Sequence, residues 1–242
     1  MDTIAAALQA CRKRIATACE NAGRGEDSVR LVAVSKTFPV AAILQAHAAG
    51  QRVFGESYLQ EALPKIAQLA GLSLEWHFVG PLQSNKTRQI AAHFDWVHGL
   101  SRESIALRLS EQRPAGMPPL QVCIQVNVSG EASKSGVEPK DALDLARAVA
   151  PLPGLRLRGF MAIPEAGLDL ARQRSRFRQV AELLRVAREA GLELDTLSMG
   201  MSDDMEAAIQ EGATLVRVGT AIFGSRGTSV ARAENKHQEV SV

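Results

Sequence analysis

Cysteine is scarce in this chain. The 242 residues hold three, at positions 11, 19 and 123, an odd number without a CxxC pair. This argues against a disulfide framework or a cysteine-built zinc site and for a reducing compartment, so the expectation is a cytoplasmic protein without a metal. An excess of charge is also missing: 28 Lys and Arg stand against 26 Asp and Glu, a formal net of +2. A nucleic-acid binder would show a basic footprint, and none is expected here. No apolar run reaches the roughly 18 residues a membrane helix needs. The start, MDTIAAALQACRKRIATACENAG, places its basic residues after its apolar ones, so it reads as an amphipathic helix and not as a secretory signal. Aromatic residues are only 4%, with one tyrosine, Tyr58, which matters for the acid–base chemistry considered below. At 46% hydrophobic the chain is long enough to bury a sizeable core.

What the chain does have is alternation. Short Val/Leu/Ile-rich runs, too continuous for half-exposed strands, predict strands at 29–35, 52–55, 75–79, 96–98, 120–127, 155–161, 196–198 and 215–218. Helical stretches such as PVAAILQAHAAG, SYLQEALPKIAQLAG and LARQRSRFRQVAELLRVAREAG fill the gaps. Several close on glycine, at Gly50, Gly71, Gly191 and Gly212, where a helix C-cap belongs. About eight strands alternating with helices is the requirement of a (β/α)₈ barrel. A doubly wound open sheet is the rival, but no GxGxxG follows the first strand. The expected organisation is an N-terminal helix over 1–28, one barrel over 29–228 and a polar, aperiodic tail over 229–242.

In such a barrel the strand C-termini carry the chemistry. Lys36 ends the first strand, in LVAVSKTFPV, and a period of two puts Val32, Val34 and Lys36 on one face, the barrel interior. A desolvated lysine has a lowered pKa, and its neutral amine condenses with an aldehyde to a Schiff base. The bland alternative is a lysine that snorkels out of the strand end. The last two strand–loop–helix junctions lie in LSMGMSDDMEAAIQEGATLVRVGTAIFG. Gly200 permits close backbone approach, Ser202 can cap the following helix, and Gly219-Thr220 open the last one. Their N–H groups and hydroxyls can bind a phosphate without a lysine or arginine there. Plain N-capping by Ser202 and Thr220 is the competing reading. Asp203 and Asp204 would repel a phosphate and belong on the solvent side.

Arg217 lies mid-strand in LVRVGT, on one face with Leu215 and Gly219. Its charge cannot be removed, so it needs a partner: a carboxylate such as Glu56 or Glu75, or a ligand acceptor such as a ring nitrogen. A Schiff-base lysine, a phosphate cradle and a fixed donor in one barrel mouth describe a pyridoxal phosphate site. An arginine beside the pyridine nitrogen would leave the ring unprotonated, a poorer electron sink suited to holding the cofactor.

The segments AVSKTFP, FGESYLQEA, WHFVGPLQSNK, QVNVSGEASKSGV, GFMAIPE and the last 28-residue block above resemble the pyridoxal phosphate homeostasis proteins, also called proline synthase co-transcribed or alanine-racemase-domain-like proteins. The resemblance covers residues 31–226. It implies a single racemase-type barrel of the fold type III kind, pyridoxal 5'-phosphate on the lysine matching Lys36, and storage or delivery of the cofactor without established turnover. Family members commonly read FGENY where this chain has Ser57, so the shorter Ser57 replaces an amide that would face the cofactor. Lys134, in SGEASKSG, matches a family loop and is a candidate second amine for cofactor transfer; an exposed loop lysine is the plain reading.

Other features lean to structure. His77, in WHFVG, reads as a satisfied core histidine, and Arg172, Arg174, Arg176 and Arg178 as solvated i,i+4 pairs on one helix. Two enzyme classes compete with a carrier. A racemase or decarboxylase using the same cofactor needs a second acid/base opposite the lysine, and Tyr58 is expected early in a helix instead. A class I aldolase would explain Lys36 and the cradle but not Arg217. The expectation is a monomeric carrier that meets cofactor-dependent apoenzymes at most transiently.

Overall fold

The structure, a computed structural model, describes residues 3–130 and 135–225. Lys134 and the tail expected over 229–242 lie outside the described residues. Eight strands close into a parallel barrel in sequence order: β1 (Arg30–Val34), β2 (Val53–Glu56), β3 (Glu75–Phe78), β4 (Trp96–Leu100), β5 (Leu120–Val126), β6 (Leu155–Ala162), β7 (Thr196–Ser198) and β8 (Leu215–Val218). The helices among the described residues are α1 (Ile4–Asn21), α2 (Val40–Ala48), α3 (Leu59–Gln68), α4 (Thr87–His93), α5 (Glu103–Glu111), α6 (Ala142–Val149), α7 (Leu170–Glu189), α8 (Met205–Gln210) and α9 (Thr220–Phe223). The predicted strands are all present, shifted by at most two residues at an end, where frayed pairing leaves the hydrophobic pattern ambiguous.

The period of two decides which side of the barrel each residue faces. Val32, Trp96, Cys123, Met161 and Leu215 form a small cluster of their own inside the barrel. Their neighbours Leu31, Ala33, Val97, Val122, Phe160 and Val216 belong to the larger core between sheet and helices. Closure pairs β1 with β8, setting Val32 opposite Arg217, so Arg217 faces inward, on the face its spacing shares with Leu215. Between β6 and β7 the barrel needs a residue without a side chain: Gly159 has φ +151°, and a Cβ there would lie 2.0 Å from Thr196 O. Of the four glycines expected to cap helices, Gly50, Gly191 and Gly212 take positive φ and Gly71 does not.

Helix α1 precedes the barrel. Thr3 caps it by accepting from Ala6 N at 3.2 Å. Leu8, Cys11, Ile15, Ala18 and Cys19 recur at helical spacing and are buried, where α1 packs on α2, α8 and α9. Both helical cysteines are buried free thiols, as is Cys123. The arginines of α7 are ion-paired and not merely solvated: Arg174 and Arg178 share Glu211, and Arg176 meets Glu165. Those carboxylates come from distant segments, so the helix sequence alone could not reveal them. No helix among the described residues is long and apolar enough to cross a membrane.

Candidate functional site

A cavity of about 480 Å³ opens at the strand C-termini, and Lys36, Ser57, Ser202, Arg217, Gly219 and Thr220 all line it. The chain thus brings six of the sequence-derived site residues to one wall. Gly200 is not on that wall. Its φ is +95°, and a Cβ would lie 2.7 Å from the Ala208 methyl, so it lets the loop after β7 settle against α8.

Lys36 follows β1 by two residues and is half-buried. The residue after it, Thr37, has φ 67°, a left-handed conformation that β-branched residues rarely take. Its N–H donates to Glu61 Oε2 at 2.9 Å, which holds the turn in place. On the other side, Ser35 is fully buried and clamped. Its hydroxyl donates to Glu56 Oε1 at 2.7 Å, and Lys65 Nζ donates to the same oxygen at 2.8 Å and to Ser35 O at 3.0 Å. Burial pushes the Glu56 carboxyl above its usual range, against the pull of Lys65 and Ser35. Among the described residues, its Oε2 has no hydrogen-bond partner. The backbone carrying Lys36 is therefore fixed from both sides.

Arg217 is buried, and neither Glu56 nor Glu75 is its partner. It donates through Nη1 to Ser198 O and Oγ, both at 2.6 Å, and through Nη2 to Ala162 O at 2.9 Å. Among the described residues these bonds take three of its five N–H groups, and Arg217 lines the cavity. Burial lowers its pKa to about 10, which keeps it charged at neutral pH.

The two loops of the expected phosphate cradle behave differently. Ser202 is not an N-cap; Asp204 precedes α8, and its side chain accepts from Met201 N at 2.6 Å. Asp204 is thus turned back on its own loop, whereas Asp203, expected on the solvent side, lines the cavity. Gly219, and not Thr220, is the N-cap of α9; the first N–H groups of that short helix have no partner within it. The cradle was expected to work without a basic residue, yet Arg14 of α1 lines the cavity too, bonded to Ser202 O at 2.9 Å and to Glu206 at 2.8 Å. No signal in the sequence connects position 14 to position 202. Ser57 keeps its place on the wall because Gly80 lies against it: a Cβ on Gly80 would come within 2.2 Å of Ser57 O.

Beneath the cavity, His77 is a satisfied core histidine, as expected, but it has company. His77 Nε2 lies 2.7 Å from Glu75 Oε1, and its Nδ1 lies 2.8 Å from His98 Nε2. His98 Nδ1 lies 2.7 Å from Ser198 Oγ. Burial pushes both imidazoles below their ordinary pKa. Burial would raise Glu75, but the bonds from His77 and Arg30 outweigh it and hold this carboxyl below its usual range. Stability from a depressed carboxyl is present above its unfolded-state pKa and is lost as pH falls through the folded one. Glu75→Gln should therefore flatten the acid side of the stability profile, costing about 2 kcal/mol at neutral pH and far less near pH ~3. Urea titrations at the two pH values check this, and an equal cost at both would count against it.

A family profile described as "Alanine racemase, N-terminal domain" matches residues 7–227. A protein of Pseudomonas aeruginosa named pyridoxal phosphate homeostasis protein is 62% identical over 226 residues, 93% of this chain and 97% of that protein. One of Escherichia coli with the same name is 52% identical over 232 residues, covering 95% and 99%. The solved structure of PipY from Synechococcus elongatus with pyridoxal phosphate bound is similar at a TM-score of 0.81 and 38% identity, covering 92% of this chain and all of that one. Alanine racemase of Corynebacterium glutamicum shares the fold at a TM-score of 0.64 and 19% identity; the match spans 90% of this chain and 62% of the racemase.

Proposed function

The chain belongs to the pyridoxal phosphate homeostasis proteins, within the alanine racemase N-terminal domain family, and from that premise we propose that it holds pyridoxal 5'-phosphate on Lys36 for intracellular storage and delivery. The observation that carries this reading is the meeting of Lys36, Arg217, Ser202 and Thr220 in the lining of one cavity. That donor set suits the group: an amine for an aldehyde, a fixed cation for a ring nitrogen, and neutral N–H and O–H donors for a phosphate. The bound cofactor supplies an aldehyde carbon that takes up a lysine amine with loss of water, a link that water or a second amine reverses.

The chain's own residues would divide the work. Ser35, Glu56 and Lys65 fix the backbone that presents Lys36. Arg217 would meet the ring nitrogen as a donor that keeps its protons, so the nitrogen stays unprotonated and carbanion chemistry is disfavoured. The half-exposed Tyr58 is the N-cap residue of α3 and is not among the residues that line the cavity, which supports a carrier over a racemase. A monomeric carrier that hands its cofactor to apoenzymes in transient contact, with Lys134 as a second amine, completes this reading.

Mixing the purified protein with pyridoxal 5'-phosphate and removing the excess should leave it yellow, and borohydride should fix one cofactor mass on the peptide containing Lys36. A protein that takes up no cofactor, or is reduced at another lysine, would overturn the reading. Steady conversion of a free amino acid that depends on Lys36 would favour a racemase or decarboxylase over a carrier.

A further inference from the structure

A continuous hydrogen-bonded line crosses the barrel interior from the strand N-termini to the cavity. It starts at Arg30, whose Nη2 donates to both oxygens of Glu75 at 3.1 and 3.0 Å. It continues through His77, His98 and Ser198 and ends on Arg217, each link between 2.6 and 2.8 Å. Five strands contribute: β1 gives Arg30, β3 Glu75 and His77, β4 His98, β7 Ser198 and β8 Arg217. Its middle and cavity end are buried, at His77, His98, Ser198 and Arg217. Val32, Trp96, Cys123, Met161 and Leu215 form an apolar cluster inside the barrel, and the His77 ring stacks on Trp96 with centroids 5.2 Å apart.

With both imidazoles kept neutral by burial, the direction of every bond in this line follows from its two ends. Glu75 is a carboxylate at neutral pH and can only accept, so His77 must carry its proton on Nε2. A neutral His77 then accepts at Nδ1, which requires the proton of His98 on Nε2. A neutral His98 in turn accepts at Nδ1 from the Ser198 hydroxyl. Ser198 Oγ accepts from Arg217, which can only donate. Each donor meets one acceptor, and the opposite polarity would set two acceptors 2.7 Å apart at Glu75.

We infer that Glu75, His77, His98 and Ser198 are positioning residues that hold both imidazoles as Nε2–H tautomers and, through the Ser198 hydroxyl, fix the Arg217 guanidinium against the cavity wall. The link to cofactor binding rests on the function proposed above; the tautomers and the fixed guanidinium do not. The line orients and does not conduct, because its cavity end is a guanidinium that gives up no proton at neutral pH. A proton from the barrel base thus has no route along it to a ring nitrogen at Arg217, and that separation suits a site that stores its cofactor. The serine is the critical joint, since it alone turns an imidazole acceptor into an acceptor for Arg217.

Nuclear magnetic resonance of cofactor-free protein carrying nitrogen-15 in histidine and arginine reads the line directly. Around neutral pH, His77 and His98 should both show the neutral Nε2–H pattern, and the Arg217 side-chain protons should be separate and slow to exchange. In Ser198→Ala those protons should exchange at least about tenfold faster, the effect of losing one buried hydrogen bond to a charged group. Either ring found charged or as the Nδ1–H tautomer overturns the inference, as does unchanged Arg217 exchange in the variant. With cofactor present, Ser198→Ala should bind about tenfold more weakly. His98→Asn, which keeps an acceptor near Nδ1, should stay within about threefold of wild type, whereas His98→Gln, which keeps only the Nε2 donor, should fall with Ser198→Ala. Equal losses in the two His98 variants would mean simple core damage and would overturn the positioning role. A wild type that shows the tautomers and slow Arg217 exchange but takes up no cofactor would sink the proposed function and leave this line standing.

Discussion

Lys36→Ala should be colourless after exposure to pyridoxal 5'-phosphate and should carry no borohydride-fixed mass. The expected loss of retention is large, on the order of 100-fold or about 3 kcal/mol, because the covalent link is gone while the other donors remain. Those remaining donors matter to the test. Ser57, Ser202, Arg217 and Thr220 still line the cavity in the variant, so weak, reversible cofactor binding should persist in equilibrium dialysis. The fold should be unharmed, since Lys36 lies past the end of β1 and is not part of the buried core. A variant that retains the colour would place the reactive amine elsewhere, and the proposed function would have to move with it.

The largest effect on stability is expected from a pair away from the wall. Lys65 and Glu56 form an ion pair at 2.8 Å with side-chain exposures of 9% and 0%, which removes solvent screening as an escape. Lys65→Met would leave Glu56 to stay charged in the dry or to take up a proton, and Ser35 O would lose its donor as well. Breaking one half of a buried pair costs about 3–5 kcal/mol, a fall in melting temperature of roughly 10 °C for a chain of this length. Combining Lys65→Met with Glu56→Gln removes the stranded charge and should recover most of the loss. Thermal melts of the single and double variants decide the matter: a single variant that melts with wild type would show that the pair contributes nothing. The same measurement bears on function, because Ser35 is the residue before Lys36, and a loosened Ser35 should weaken cofactor capture in parallel with stability.

Much of this arrangement was legible in the chain itself. The alternation of apolar runs and helices marked eight strands, and side-chain periodicity placed Val32 inside the barrel and Leu215 and Arg217 on one shared face, which the closed barrel turns inward. Lys36 stood out because an ammonium ends an apolar run, and Gly219-Thr220 because they open a helix after a strand. Each of these signals lies within a few residues of sequence. The partners did not show. Ser35 and Glu56 are 21 positions apart, His98 and Ser198 are 100, and Arg14 and Ser202 are 188. His77 was readable as a core residue, but its bonds to Glu75 and His98 were not, since nothing local distinguishes a histidine beside a tryptophan from one beside another histidine.

Local order determines which residues form strands, which face each presents and which side chains end at the active rim, because periodicity and capping act over one or two turns of chain. Only closure of the barrel decided that Arg217 is satisfied by Ser198 and Ala162 and not by a carboxylate, that Arg14 reaches the cavity, and that Gly200 supports the wall without lining it. Those outcomes depend on where separate strands and helices meet in space. Burial there makes every unpaired polar group costly, so the partners are chosen by three-dimensional register and not by spacing along the chain.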